Sequence, residues 1–177
     1  MRGQLVIHLY APDGTLLEER RSHNAVLQSG GELVARLFAG QLAGGITHMG
    51  VGTNDTPEGD RFSTTALANP EGAEALAGGT EVAITPDQIS VQPPDETTRT
   101  VKVRVRATLP ASAAVGTIRE ASLMSRATPP GAPPDAPPAA PVLYNRVVFP
   151  PLTKGGDHEL SLFWEITFPY GDLQELL

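Results

Sequence analysis

The tightest constraint on this chain is a two-residue rhythm. In TVKVRVRATL (100–109), Val101, Val103, Val105 and Leu109 fall on one side of an extended backbone, while Thr100, Lys102, Arg104 and Arg106 fall on the other. ELSLFWEITF (159–168) repeats the pattern with Leu160, Leu162, Trp164, Ile166 and Phe168. Side chains alternate faces at this period only in a strand, and a strand with one polar face belongs to an antiparallel sheet that water reaches from one side. QLVIHLY (4–10) has the same spacing at Leu5, Ile7 and Leu9. Ala11-Pro12-Asp13-Gly14 then predicts a tight hairpin into 15–21, because proline pre-sets φ and glycine accepts positive φ.

Shorter extended pieces follow at 22–27, 46–53, 80–85, 89–91, 117–126 and 142–149. Pro150-Pro151 is expected to end the last of these, since neither residue donates to a ladder. One short helix is predicted near residues 30–39: Ser29 is placed to cap it with Glu32 three residues on, Leu33 and Leu37 share a face, and Gly40 stops it. The sum is a mainly β protein, an antiparallel β-sandwich of about seven or eight strands with that one helix. Residues 1–168 are expected to form a single domain carrying a polar loop at 54–79 and a proline-rich loop at 127–141, with 169–177 as a C-terminal tail. The loops are too long and too poor in apolar residues to order themselves by burial, so they are expected to be contact or exposed elements ordered against neighbours.

With 177 residues the chain supports one core. Its 18 glycines and 17 prolines fit many turns between short strands. The net charge of −7 argues against nucleic acid as a partner. No cysteine is present, which excludes disulfides, thiolate nucleophiles and Cys-ligated metals. Residues 1–30 lack a signal-peptide pattern and no apolar run approaches the ~18 residues of a membrane span, so a soluble product of the cytoplasm, without a membrane partner, is expected.

Candidate chemistry is sparse. Asp157-His158-Glu159 looks catalytic, but adjacent side chains point in alternating directions and the preceding Lys154-Gly155-Gly156 reads as a hairpin turn. The four histidines, His8, His23, His48 and His158, do not fall at zinc-site spacing. Asn54 to Asp60 gathers oxygen ligands of the kind calcium takes, yet misses the EF-hand spacing and reads as an acidic surface loop. Gly50-Val51-Gly52-Thr53 lacks the lysine of a phosphate loop and reads as a turn. Arg99, Lys102, Arg104 and Arg106 form a basic strip of the kind a strand uses on its solvent face. Glu120 and Glu165 are a conceivable glycosidase pair, but both sit in predicted strands, where charges commonly face solvent or a neighbouring subunit. No catalytic, cofactor-binding or metal-ligating residue is assigned, and a non-enzymatic role is expected.

The order of several short motifs resembles that of small structural proteins of tailed bacteriophages and phage-like particles. Asn24, Val26 and Gly30 precede the helix; Gly50, Gly52, Thr53, Thr56 and Pro57 precede the polar loop; Arg146, Phe149, Pro150 and Lys154 form a hairpin arm; and Trp164, Ile166 and Phe168 close the chain. The resemblance implies a virion protein on the exterior of the particle, decorating or cementing the capsid or linking tail and fibre components. Its implied partners are copies of itself, as a trimer or other cyclic oligomer, and phage capsid or tail proteins. The alternative is a carbohydrate- or receptor-binding module of a tail fibre, which would need a shallow groove with exposed aromatics.

Overall fold

The structure is a computed structural model that describes residues 2–41, 45–127, 133 and 140–171. Ten strands are found among them: β1 (Arg2–Tyr10), β2 (Leu16–Val26), β3 (His48–Gly52), β4 (Glu81–Ala83), β5 (Ile89–Val91), β6 (Thr100–Leu109), β7 (Gly116–Ser125), β8 (Val142–Leu143), β9 (Asn145–Lys154) and β10 (Glu159–Pro169). The helix α1 (Gln28–Phe38) lies between β2 and β3, and a single 3-10 turn, Pro86–Gln88, separates β4 from β5. All named pairings are antiparallel, as the alternation predicts.

The strands run in one hydrogen-bonded path, β4-β3-β7-β9-β2-β1-β10-β6-β5, with β8 attached to β7. The mainly β, antiparallel class is therefore as expected, while a sandwich of two separate sheets is not confirmed: the sheet curls into a half-barrel. The ladder pairs that join its two arms are Ala25↔Arg146 and Val26↔Asn145. Both edge strands are three residues long, and β4 and β5 are joined by only the five residues 84–88, so one short piece of chain ties the two edges together.

The core follows from register. Leu5, Trp164 and Val105 form one row across β1, β10 and β6; Ile7, Leu162 and Ala107 form the next; Leu9, Leu160 and Leu109 a third. All nine are buried and join Met49, Val51, Ile118, Leu123, Val147, Phe149 and Leu152 of the other arm in a single cluster. Each fully buried large apolar side chain contributes about 1.5–3 kcal/mol.

Three local expectations change. β9 does not stop at Pro150-Pro151. Its pairing with β7 passes from Ile118↔Leu152 to Glu120↔Val148, a register shift that sets three residues against one and accommodates both prolines in the irregularity, exposed. Gly50 to Gly52 stays in strand instead of turning. The helix begins earlier, with Leu27 at its N-cap, and the Ser29 hydroxyl donates to the Leu143 carbonyl at 2.7 Å, fastening the helix to β8. Its end is as predicted: Gly40 takes φ +65°, its N–H reaches Leu37 O and the Gln41 N–H reaches Arg36 O, the paired bonds of a Schellman cap. The proline-rich loop lies largely outside the described residues, as does the tail beyond Gly171; the strands that flank the loop pair directly at Met124↔Leu143 and Ser125↔Val142.

Candidate functional site

The register shift in β7 decides which side chains the strand turns away from the core. On the core side stand Ile118, Ala121 and Leu123. The shift puts Glu120 on the opposite face with Ser122 and Met124, and that face is covered as well, by the loop 54–79. β7 is thus buried nearly throughout, and its sequence carries no clean alternation.

Glu120 has no solvent exposure. One carboxylate oxygen accepts the Ala68 N–H at 2.7 Å and the Asn54 N–H at 3.4 Å; the other accepts Arg146 Nε at 2.5 Å. Arg146, on β9, then spreads the rest of its guanidinium over the loop: Nη1 donates to Thr56 O and Glu58 Oε1, both at 2.9 Å, and Nη2 to Asn54 O at 3.2 Å. Both Arg146 and the carboxylate of Glu58 are buried. The planar fork of arginine makes this possible, since one residue presents several donors in fixed directions.

The loop lies on backbone. A Cβ at Gly52 would be driven into the Glu120 carboxylate and the Ala68 carbonyl, and one at Gly50 into Met124 and Leu67. Glycine at these positions is what close approach of a loop to a strand requires. Thr53 N–H donates to Ala68 O at 2.8 Å, and Asn69 closes a second clasp by exchanging two bonds with the backbone of Leu76. The loop is therefore held from within the chain, through ionic and backbone bonds.

The candidates from sequence are dispersed. Glu120 and Glu165 sit on strands separated by β9, β2 and β1, and Glu120 is the buried anchor just described, not a solvent-facing strand charge. Glu165 lies on the outer face between Lys102 Nζ at 2.8 Å and Arg104 Nε at 3.0 Å, whose hydrogen bonds and charges hold its carboxyl below the ordinary range. Asp157 and His158 occupy the turn before β10, with the imidazole against the Gly155 N–H at 3.3 Å, while Glu159 pairs with Tyr10 in the ladder. In the loop 54–60, the carbonyls of Asn54 and Thr56 and the Glu58 carboxylate, oxygens a calcium ion would need, face the Arg146 guanidinium. Among the described residues no group of three or more His, Asp or Glu is placed to hold a metal ion.

Of the basic strip, Lys102 and Arg104 are engaged by Glu165, and Arg106 lies over the Phe163 ring at 5.6 Å from its centroid. Lys154 is nearly fully buried and donates to Ala111 O at 2.7 Å, with burial holding its ammonium below the usual lysine value. Several residues that carried the phage resemblance thus have a part in the fold: Gly50 and Gly52 seat the loop, Arg146 clamps it, Lys154 pins the β6–β7 connection, and Trp164 and Ile166 fill the core.

Two openings matter for recognition. One, of about 600 Å³, is apolar and lies between α1 and the sheet, lined by Leu33, Val34, Leu37, Ile84, Val103 and Phe168. The other, of about 590 Å³, mixes charged and apolar side chains and lies on the outer face of β1, β10 and β6. No helix among the described residues is long and apolar enough to cross a membrane. Comparison with known protein families, curated proteins and solved structures finds no match.

Proposed function

We propose that the chain is a non-enzymatic structural protein on the exterior of a tailed phage or phage-like particle, decorating or cementing the capsid or linking tail and fibre components through contacts between copies. The observation that carries this reading is the unclosed apolar mouth beside α1. The helix ends in Phe38, 91% exposed, after supplying Leu37, 43% exposed, to an opening lined mostly by apolar side chains. An exposed ring next in sequence to the wall of an apolar opening is the kind of surface that a symmetric neighbour covers. The clamped loop 54–79 adds a fixed polar surface, and the short edge strand β5, with Val91 69% exposed, offers a second contact.

The test is sedimentation equilibrium across protein concentration, with Phe38→Glu as the variant. The reading expects a closed oligomer that dissociates in the variant while the variant monomer keeps its β-rich circular dichroism. A parent protein that remains monomeric at high concentration and binds no capsid or tail component overturns it.

A further inference from the structure

The outer face of the β2-β1-β10-β6-β5 arm carries a groove that plays no part in the assembly reading and is independent of it. We propose that it binds an oligosaccharide bearing one carboxylate, with Arg106 as the residue that recognises the acid. The groove has two lobes. The first, about 590 Å³, includes Gln4, Asp87, Gln88, Ser90 and Phe163; the second, about 530 Å³, includes Tyr10, Gly14, Asp157, Glu159 and Ser161; Arg106 and Thr108 line both. Each lobe is within the range of small-ligand sites, and the shared wall makes them one track along the strands.

Charge decides what fits the middle. Lys102 and Arg104 share the Glu165 carboxylate, whereas among the described residues no carboxylate is paired with Arg106. Register places Val6, Phe163 and Arg106 side by side across β1, β10 and β6, and the guanidinium is held over the ring. His8 packs on the same ring at 5.0 Å, so the platform is fixed from both sides. A guanidinium held over a ring, exposed and without a carboxylate is set to take one from a ligand in a forked pair of hydrogen bonds.

The ends of the track select differently. Asp87 at one end and Asp157 and Glu159 at the other are acceptors that suit sugar hydroxyls and repel further anionic units. Thr108 and Ser161, bonded to each other at 2.8 Å, add hydroxyls on the floor beside Arg106. One acidic sugar at Arg106 with neutral sugars on either side satisfies both parts, and a polyanion does not.

The experiment is an amide-resolved NMR titration of the full chain with 3′-sialyllactose, lactose and tetragalacturonate, repeated on Arg106→Gln and Arg106→Lys. Sialyllactose is expected to shift the amides of Gln88, Arg106, Thr108 and Phe163. Lactose should bind about tenfold more weakly or worse, the usual loss when a charge-assisted pair is absent, and tetragalacturonate should bind more weakly because its further carboxylates meet Asp87, Asp157 and Glu159. Arg106→Gln should lose affinity by a similar factor, and Arg106→Lys should recover little, because it keeps the charge without the fork. Arg106 is exposed, so both variants are expected to fold, which the unchanged remainder of the spectrum verifies. No shift with sialyllactose at millimolar concentration, equal binding of lactose or of the polyanion, or unchanged affinity in both variants each overturns the proposal.

Discussion

Replacing Arg146 by methionine tests the ionic clamp on the long loop. The change keeps a flexible side chain of similar length and removes every donor. It leaves the fully buried Glu120 carboxylate and the buried Glu58 carboxylate without their counter-charge, and the carbonyls of Asn54 and Thr56 without their guanidinium bonds. Removing one partner of a buried ion pair typically destabilises by about 3–5 kcal/mol, because the remaining charge has been taken out of water uncompensated. In a domain of this size, that corresponds to a fall of roughly 6–20 °C in melting temperature. The loop has an escape route that caps the global loss: it detaches and lets water reach Glu120. Hydrogen exchange separates the two outcomes, because the amides of Thr53 and Ala68 are bonded only when the loop is seated. Urea denaturation gives the global figure, and Glu120→Gln together with Arg146→Met measures the coupling, since the double variant no longer carries that buried pair. A loss below about 1 kcal/mol with undiminished protection at Thr53 and Ala68 would refute the clamp.

Other positions separate packing from solvent-exposed chemistry. Trp164→Ala should cost about 3–5 kcal/mol in chemical denaturation, whereas His158→Ala, at an open turn, should stay within about 0.5 kcal/mol; similar losses would contradict the hairpin reading. Gly30→Ala drives a Cβ into the Tyr144 carbonyl and should lower the melting temperature, while Gly31→Ala meets nothing and should raise stability by about 0.5–1 kcal/mol through helix propensity; two changes of the same sign would be inconsistent with the placement of α1. Burial pushes the Tyr144 hydroxyl up to about 12 from an unfolded value of 10.0, so the folded state keeps its proton longer than the unfolded chain. Stability from this group is complete below pH 10 and falls by roughly 2–3 kcal/mol as pH rises through 12. Tyr144→Phe should remove that part of the alkaline loss, and parallel pH profiles for the two proteins would argue against it.

How much of the fold and of the groove was legible depends on which face a residue occupies. β1, β6 and β10 each have one face in the core and one toward solvent, and their alternation states it directly: Leu160, Leu162, Trp164 and Ile166 are all buried. Arg104 and Arg106 are exposed. β7 is covered on both faces, so its polar residues do not mark a solvent side, and Glu120 read as an outward charge although it is sealed under the loop. The register shift that re-aims it depends on two prolines about thirty residues later in the opposite strand, a pairing with no local trace. The junction of β2 and β9 is likewise set by residues some 120 positions apart, which is why one curled sheet could not be told from two. The ligand groove was hidden for a related reason. The basic strip was visible, but only pairing shows that Glu165 engages two of its members and leaves Arg106 on Phe163.

The position of β10 has a consequence for how the molecule is made. β10, the last strand among the described residues, lies in the middle of its arm, between β1 and β6, and contributes a residue to each of the three apolar rows. Until it is available, β1 and β6 each keep an open edge, so this arm cannot close before residues 159–169 join it. Any product truncated before Glu159 is then a candidate for chaperone capture or aggregation and not a smaller version of the same fold.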